Sequence, residues 1–377
     1  MKVLFLIHDT AISGAALSLF NLLEGLKAKG IDIHVAGPCC TEAYMVRIEK
    51  IGAKYYEVHP AMSVMPPAKS LRNKVGFLKN YFRLFKKKSC YYKELDRLVK
   101  EIQPDLIHTN VGVLHEGLKV AQKYGIPHVI HLREYQDLDF NWNFYPSKKR
   151  FEKMLRTTNV ICISEDIRSY FNLQDYPSCK TIYNGILSES EASYNPQKEK
   201  YFMTATRISP EKDIPMAIKA FSLFSHDHGD YVLRVFGDGA EVYKKELKDL
   251  VIYLGIEDKV VFEGYKSNIP YYLERAMGLI VSSRNEGFGR MSAEALMKGC
   301  ALIGRNSGGT KEIMNAVPSF PFEDEKGCAD QINNVVSLQQ GALDNQLLMS
   351  QKKALSLFSV EQNVERIYAI YSSIIFR

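Results

Sequence analysis

The sequence predicts an α/β protein made of two doubly wound parallel-sheet domains. Short bare apolar runs alternate with helical patterns in both halves of the chain, the rhythm of βαβ units. A polar stretch over 186–200 (ILSESEASYNPQKEK), with almost no apolar content, separates two halves of similar size. The 377 residues, 46% hydrophobic and 24% charged, supply apolar mass for two cores and exclude a single small module or wholesale disorder.

Residues 3–7 are a bare apolar run that stops at His8 and Asp9, which reads as a buried parallel strand feeding a loop. The run is shorter than the ~7–15-residue apolar core of a secretory signal. From Gly14, apolar residues Leu17, Phe20, Leu22, Leu23 and Leu26 recur at helical spacing, and Gly30 stands where a C-terminal helix glycine belongs. Strands follow at 32–36, 105–108, 127–131 and 160–163, so 1–185 reads as one domain. After the linker, strands at 201–206, 232–236, 260–262, 279–281 and 301–303 alternate with helices and define a second domain over 201–357. Val364, Ile367, Ile370 and Tyr371 mark a closing helix. Open α/β sheets bind ligands beyond the carboxyl ends of their strands, so a ligand cleft is expected between the domains.

Seven cysteines form no C-x-x-C pair and mostly sit in apolar runs, which points to buried free thiols in a reducing compartment. No stretch reaches the ~18 apolar residues of a spanning helix, so a cytoplasmic protein is expected, soluble or peripheral on the inner face of a membrane. Net charge is +6.

The most specific chemical signal is Asn285-Glu286-Gly287-Phe288-Gly289-Arg290-Met291-Ser292-Ala293-Glu294. An apolar strand runs through a glycine-rich loop into a helix, so the backbone N–H groups of 287–291 are placed to cradle a phosphate. Glu286 in the loop and Glu294 one turn into the helix are candidates to accept hydrogen bonds from sugar hydroxyls. Arg207 and Lys212 lie in the strand-to-helix loop that opens the second domain, supplying fixed positive charge where a diphosphate leaving group accumulates negative charge. Neither a metal nor another cofactor is then required. The first domain lacks G-x-G-x-x-G, which disfavours a nicotinamide dinucleotide, and G-x-S-x-G is absent, which disfavours an α/β-hydrolase. In Gly304–Lys311 lysine follows threonine rather than preceding it, so a phosphate loop for ATP is unsupported.

Taken together, Glu286 and Glu294, the Arg207/Lys212 pair, Tyr183-Asn184-Gly185, the segment Ser307-Gly308-Gly309-Thr310-Lys311-Glu312 and the final helix after Phe358-Ser359 resemble, over essentially the whole chain, the retaining glycosyltransferases of family 4 with the GT-B fold. The resemblance implies two facing Rossmann-like domains, 1–185 for the acceptor and 201–357 for the nucleotide-sugar, with 358–377 returning to the first. It implies that Arg207 and Lys212 hold the donor diphosphate and Glu286 the transferred sugar. Glu294 then binds the ribose, while Gly14 and the 287–291 segment (Gly287, Phe288, Gly289, Arg290, Met291) approach sugar and phosphate. The first-domain loop, Ser13-Gly14-Ala15-Ala16, has serine where a first glycine is common. Arg133 stands where the family often has an active-site histidine and is carried over as a sugar or phosphate contact, with His131 a nearby candidate. Asp213 follows Lys212 where glycine is common, which is expected to stiffen that loop.

Lys69 to Lys88 carries eight cations and no acid, with Leu71, Val75, Leu78, Phe82 and Phe85 on one side of a helix. The pattern suits an anionic membrane surface, or a helix packed on the first domain with its lysines in water; nucleic acid is not expected. The expected function is transfer of a sugar from a UDP- or GDP-sugar to a hydroxyl of a glycan or lipid-linked acceptor in cell-surface polysaccharide or glycoconjugate assembly. A nucleotide-sugar epimerase, a phosphorylase and a non-catalytic glycan-binding protein are the alternatives.

Overall fold

A computed structural model describes residues 1–66, 73–140 and 142–376. The chain forms two compact units, Met1–Gly185 with Val360–Arg377, and Ile186–Ser359. In the first, strands β1 (Lys2–Leu6), β2 (Asp32–Gly37), β3 (Lys54–Glu57), β5 (Leu106–Thr109), β6 (His128–Leu132), β8 (Asn159–Cys162) and β9 (Cys179–Thr181) make one sheet in the order β3-β2-β1-β5-β6-β8-β9. All its pairings are parallel. Val64–Met65 (β4) and Asn143–Phe144 (β7) add a short antiparallel ladder. The bare apolar run of β1 has a simple cause. Val3, Phe5 and Ile7 point into a core shared with the helices Gly14–Ala28 and Val360–Ile375, while Leu4 and Leu6 point into a second core under the helix Asn73–Ile102. With both faces covered, no polar alternation survives.

The closing helix Val360–Ile375 packs on Gly14–Ala28 through Val364, Ile367 and Tyr371. In the second unit β10 (Glu199–Ala205), β11 (Val232–Phe236), β12 (Val260–Gly264), β13 (Ala276–Val281), β14 (Ala301–Arg305) and β15 (Phe320–Phe322) form a parallel sheet in the order β12-β11-β10-β13-β14-β15. In each sheet the order reverses beside the first strand, the arrangement of doubly wound folds.

Three sequence expectations change. The 186–200 segment is not a bare tether: Ile186 and Leu187 are buried, and the Lys198 ammonium donates to Glu274 O at 2.8 Å and Gly299 O at 2.7 Å. Cys39 and Cys90 are exposed, so not all the thiols are buried. Within the basic stretch, residues 69–72 and the side chains of 73–79 lie outside what the structure describes, and with them Leu71, Val75 and Leu78 of the expected apolar face. Lys88 leaves the basic face altogether, because its ammonium lies 3.2 Å from the buried Glu116 carboxylate and bonds Ser63.

Candidate active site

In the second unit the candidate residues occupy loops at the carboxyl ends of β10, β13 and β14. The loop after β10 passes Arg207, makes one 3-10 turn (Pro210–Lys212) and enters the helix Ile214–Ser225. It lies along the loop after β11, with Thr206 N–H donating to Phe236 O at 3.1 Å and Ile208 N–H to Asp238 O at 2.8 Å. That approach demands glycine: a Cβ at Gly237 would stand 1.8 Å from Thr206 O, and one at Gly239 2.0 Å from Ile208 O. Gly237-Asp238-Gly239 directly after a strand is the local sequence mark of this close approach, in addition to the residues singled out above.

The Lys212 ammonium donates to Glu286 Oε1 at 2.6 Å, and both side chains are largely buried. Arg207 is more exposed and donates through Nη2 to Glu211 Oε1 at 2.5 Å. Burial pushes the Glu211 carboxyl up, but hydrogen bonds from Ser209 and Arg207 outweigh it and the net direction is down. The two cations read as a pair thus answer to different carboxylates. Asp213, at φ 49° and ψ 42°, accepts at Oδ2 from Arg284 Nε at 3.0 Å and from Arg305 Nη1 at 2.8 Å. Neither arginine was singled out from the sequence.

The glycine loop is braced from behind. Gly309 N–H, at the start of the helix Gly308–Ala316, donates to Glu286 O at 2.7 Å. A Cβ on Gly309 would lie 2.5 Å from Phe288 O, so the helix start sits against the loop backbone. Gly289, at φ 86°, is the N-cap of the helix Arg290–Met297, and no side chain caps that helix. Two buried hydroxyls without hydrogen-bond partners, Ser292 Oγ and Thr310 Oγ1, lie 3.3 and 3.1 Å from where a Gly289 Cβ would be. Two helix N-termini therefore flank the 286–289 segment, a concentration of backbone dipole suited to an anion. Met291 lies in the first turn of the second of these helices.

Glu294 is buried one turn further on, its Oε2 3.9 Å from Arg290 Nε. Burial pushes its carboxyl up, opposed by Arg290 and Lys298, and burial likewise lowers Arg290, whose Nη2 donates to Ile186 O at 3.4 Å. A cavity of about 290 Å³ lies nearby, lined by Ile208, Gly237, Asp238, Lys244, Phe262 and Gly264 among others, at the carboxyl ends of β11 and β12.

In the first unit Ser13 earns its place as an N-cap, its Oγ accepting from Ala16 N at 3.4 Å, so the helix begins at Gly14. Arg133, just past β6, is buried and donates through Nε to Asn110 Oδ1 at 3.0 Å and through Nη1 to Asn184 Oδ1 at 2.7 Å, with His131 Nδ1 3.4 Å from Nη2. Burial lowers the guanidinium to about 10 and holds His131 well below the ordinary histidine range. Arg133 therefore ties Asn184 to the carboxyl end of β6. Among the described residues, no group of three or more His, Cys, Asp and Glu is placed to hold a metal.

Residues 187–347 match the family described as Glycosyl transferases group 1, and residues 12–189 match Glycosyltransferase Family 4. The chain belongs to these glycosyltransferases. An uncharacterized glycosyltransferase of Methanocaldococcus jannaschii is 25% identical over 322 residues, 83% of this chain and 81% of that one. The alpha-monoglucosyldiacylglycerol synthase of Streptococcus pneumoniae is 28% identical over 260 residues, 59% and 57% of the two chains. The crystal structure of Anabaena HepE in complex with UDP superposes with a TM-score of 0.79 at 20% identity, covering 99% of this glycosyltransferase and all of that chain. The fold is GT-B.

Proposed function

We propose that this glycosyltransferase moves a sugar, with retention, from a UDP- or GDP-sugar to a hydroxyl of a glycan or lipid-linked acceptor in cell-surface glycoconjugate or polysaccharide assembly. The observation that carries this reading is the Lys212–Glu286 pair at 2.6 Å beside a glycine loop flanked by two helix starts. As the bond from the anomeric carbon to the diphosphate oxygen lengthens, negative charge grows on the diphosphate. Lys212, already fixed, and Arg207, within the same loop, meet that charge with little reorganisation. Glu286, held by Lys212, accepts from hydroxyls of the transferred sugar, and Glu294 from those of the ribose. The amides of Gly287 to Met291 approach sugar and phosphate. The cavity beside Phe262 and Gly264 combines apolar side chains and glycine backbone with the charged Asp238, Lys244 and Lys248, a mixed lining able to take a nucleoside. His131 and Arg133 mark the first unit's sugar or acceptor side. HepE was solved with UDP-glucose, which supports a nucleotide-sugar donor.

The acceptor side also has a candidate membrane surface. Phe82 and Phe85 are 66% and 64% exposed on the helix Asn73–Ile102, beside the exposed Arg83, Lys86 and Lys87. Cations flanking exposed aromatics suit anionic headgroups. No described helix is long and apolar enough to cross a membrane.

The test is turnover with a panel of UDP- and GDP-sugars and lipid or glycan acceptors. Lys212→Ala and Glu286→Ala are each expected to lower it at least about a hundredfold, the scale of removing one preorganised polar contact. Activity should persist in EDTA, since protein cations supply the charge. Full turnover in both variants would discard the assignment.

A further inference from the structure

We propose that Asp213 is a positioning residue that holds the Lys212 ammonium where a donor diphosphate meets it; the proposal rests on the reading of Lys212 given above. Three consecutive residues are bonded to one short segment of the neighbouring loop. Glu211 O accepts from Arg284 N–H at 3.2 Å, Lys212 O accepts from Ser282 Oγ at 2.9 Å, and Asp213 Oδ2 accepts from Arg284 Nε at 3.0 Å. Arg305, at the end of β14, closes the set by donating through Nη1 to Asp213 Oδ2 at 2.8 Å and toward Ser282 O at 3.4 Å. The same segment leads directly to Glu286. The loop carrying the cation and the loop carrying its carboxylate are thus locked by a largely shielded charge on residue 213, whose side chain is 15% exposed while that of Arg284 is 65% exposed.

At φ 49° the backbone at 213 has left-handed geometry, which glycine adopts without strain and aspartate only tolerates. Asp213 also stands at the N-cap of Ile214–Ser225 without capping it by its side chain. Neither backbone comfort nor helix capping accounts for an aspartate here; the two arginines do. Because Lys212 is the adjacent residue, releasing the clamp lets its backbone shift, and a small displacement of a charged hydrogen-bond donor weakens a preorganised contact steeply.

The experiment is calorimetric titration with UDP, and with GDP in parallel, of the full chain carrying Lys212→Ala, Asp213→Gly, Asp213→Asn and the Lys212→Ala/Asp213→Gly pair. Glycine suits the backbone, so Asp213→Gly should fold, and Asp213→Asn, which keeps the shape and loses the charge, carries the same test should it not. Asp213→Gly is expected to weaken nucleotide binding about tenfold and Asp213→Asn by less. The double variant should bind within about twofold of Lys212→Ala alone, because a residue that acts only through Lys212 has nothing left to position. Wild-type affinity in Asp213→Gly, or losses that multiply in the double variant, overturns the positioning role while leaving Lys212 as a diphosphate ligand. Wild-type affinity in Lys212→Ala overturns that underlying reading, and the positioning role with it.

Discussion

Gly309 shows how tightly single residues are specified around the candidate site. Any side chain there meets the Phe288 carbonyl at 2.5 Å, and backbone cannot move aside as a flexible side chain can. Gly309→Ala is therefore expected to push the 286–289 loop, lowering turnover more than tenfold while costing roughly 1–3 kcal/mol of stability, the range for overpacking. Steady-state kinetics beside a denaturant titration separates the two; unchanged turnover would show that the loop does not depend on this brace. Glu286→Gln tests the neighbouring ion pair differently. The amide oxygen still accepts from Lys212, but the charge that holds the ammonium is gone. Transfer should fall while UDP affinity holds or rises, a split that kcat and calorimetry together report. Legibility at this scale was uneven. Glu286 and Lys212 stood out because loop chemistry is local in sequence. The partners of Asp213 did not, because Arg284 and Arg305 are 71 and 92 residues away.

At the scale of elements, two segments behave differently from their composition. The 186–200 stretch is polar, yet Lys198 bridges Glu274 O and Gly299 O, and burial lowers its ammonium. Replacing it with methionine leaves both carbonyls without their donor and should cost about 1–3 kcal/mol, read as a lower urea midpoint with an unchanged slope. The helix Asn73–Ile102 is the converse case, with aromatic side chains left in solvent. Phe82→Ser/Phe85→Ser should leave stability within about 0.5 kcal/mol, as exposed substitutions do, yet weaken retention on anionic liposomes. Arg83, Lys86 and Lys87 changed to glutamate should abolish that retention at low salt, where charges are little screened. Binding to neutral and anionic vesicles alike would remove the electrostatic part. The helical period was visible in the sequence, but not which of its lysines turn inward. Lys88 does so because Glu116, itself fully buried, stands beneath it.

For the molecule as a whole, the histidines divide the two units. His108, His115, His128 and His131 are all buried in the first unit, and burial holds each below its ordinary range, His128 at about 3. Below about pH 6.5 the unfolded chain binds protons at these sites and the folded chain does not. Their contribution is therefore complete near neutrality and lost as pH falls from about 6.5 toward 3, at up to ~1.4 kcal/mol per pH unit for each histidine. The second unit has only His226 and His228, neither of them buried. Trp142, the single tryptophan, lies in the first unit, so its fluorescence should report a thermal transition that drops steeply between pH 7 and 5. Circular dichroism should then resolve a second, less acid-sensitive step; one coincident transition at every pH would contradict this. By itself the sequence determined two parallel α/β units, the glycine loop and the cations near it, because strand burial and helix starts are written in local composition and spacing. Only the tertiary structure decided which carboxylate answers which cation. Lys212 finds Glu286 and Asp213 finds two arginines because parallel strands joined by crossover helices bring distant loops to one sheet edge, and no local pattern encodes that registry.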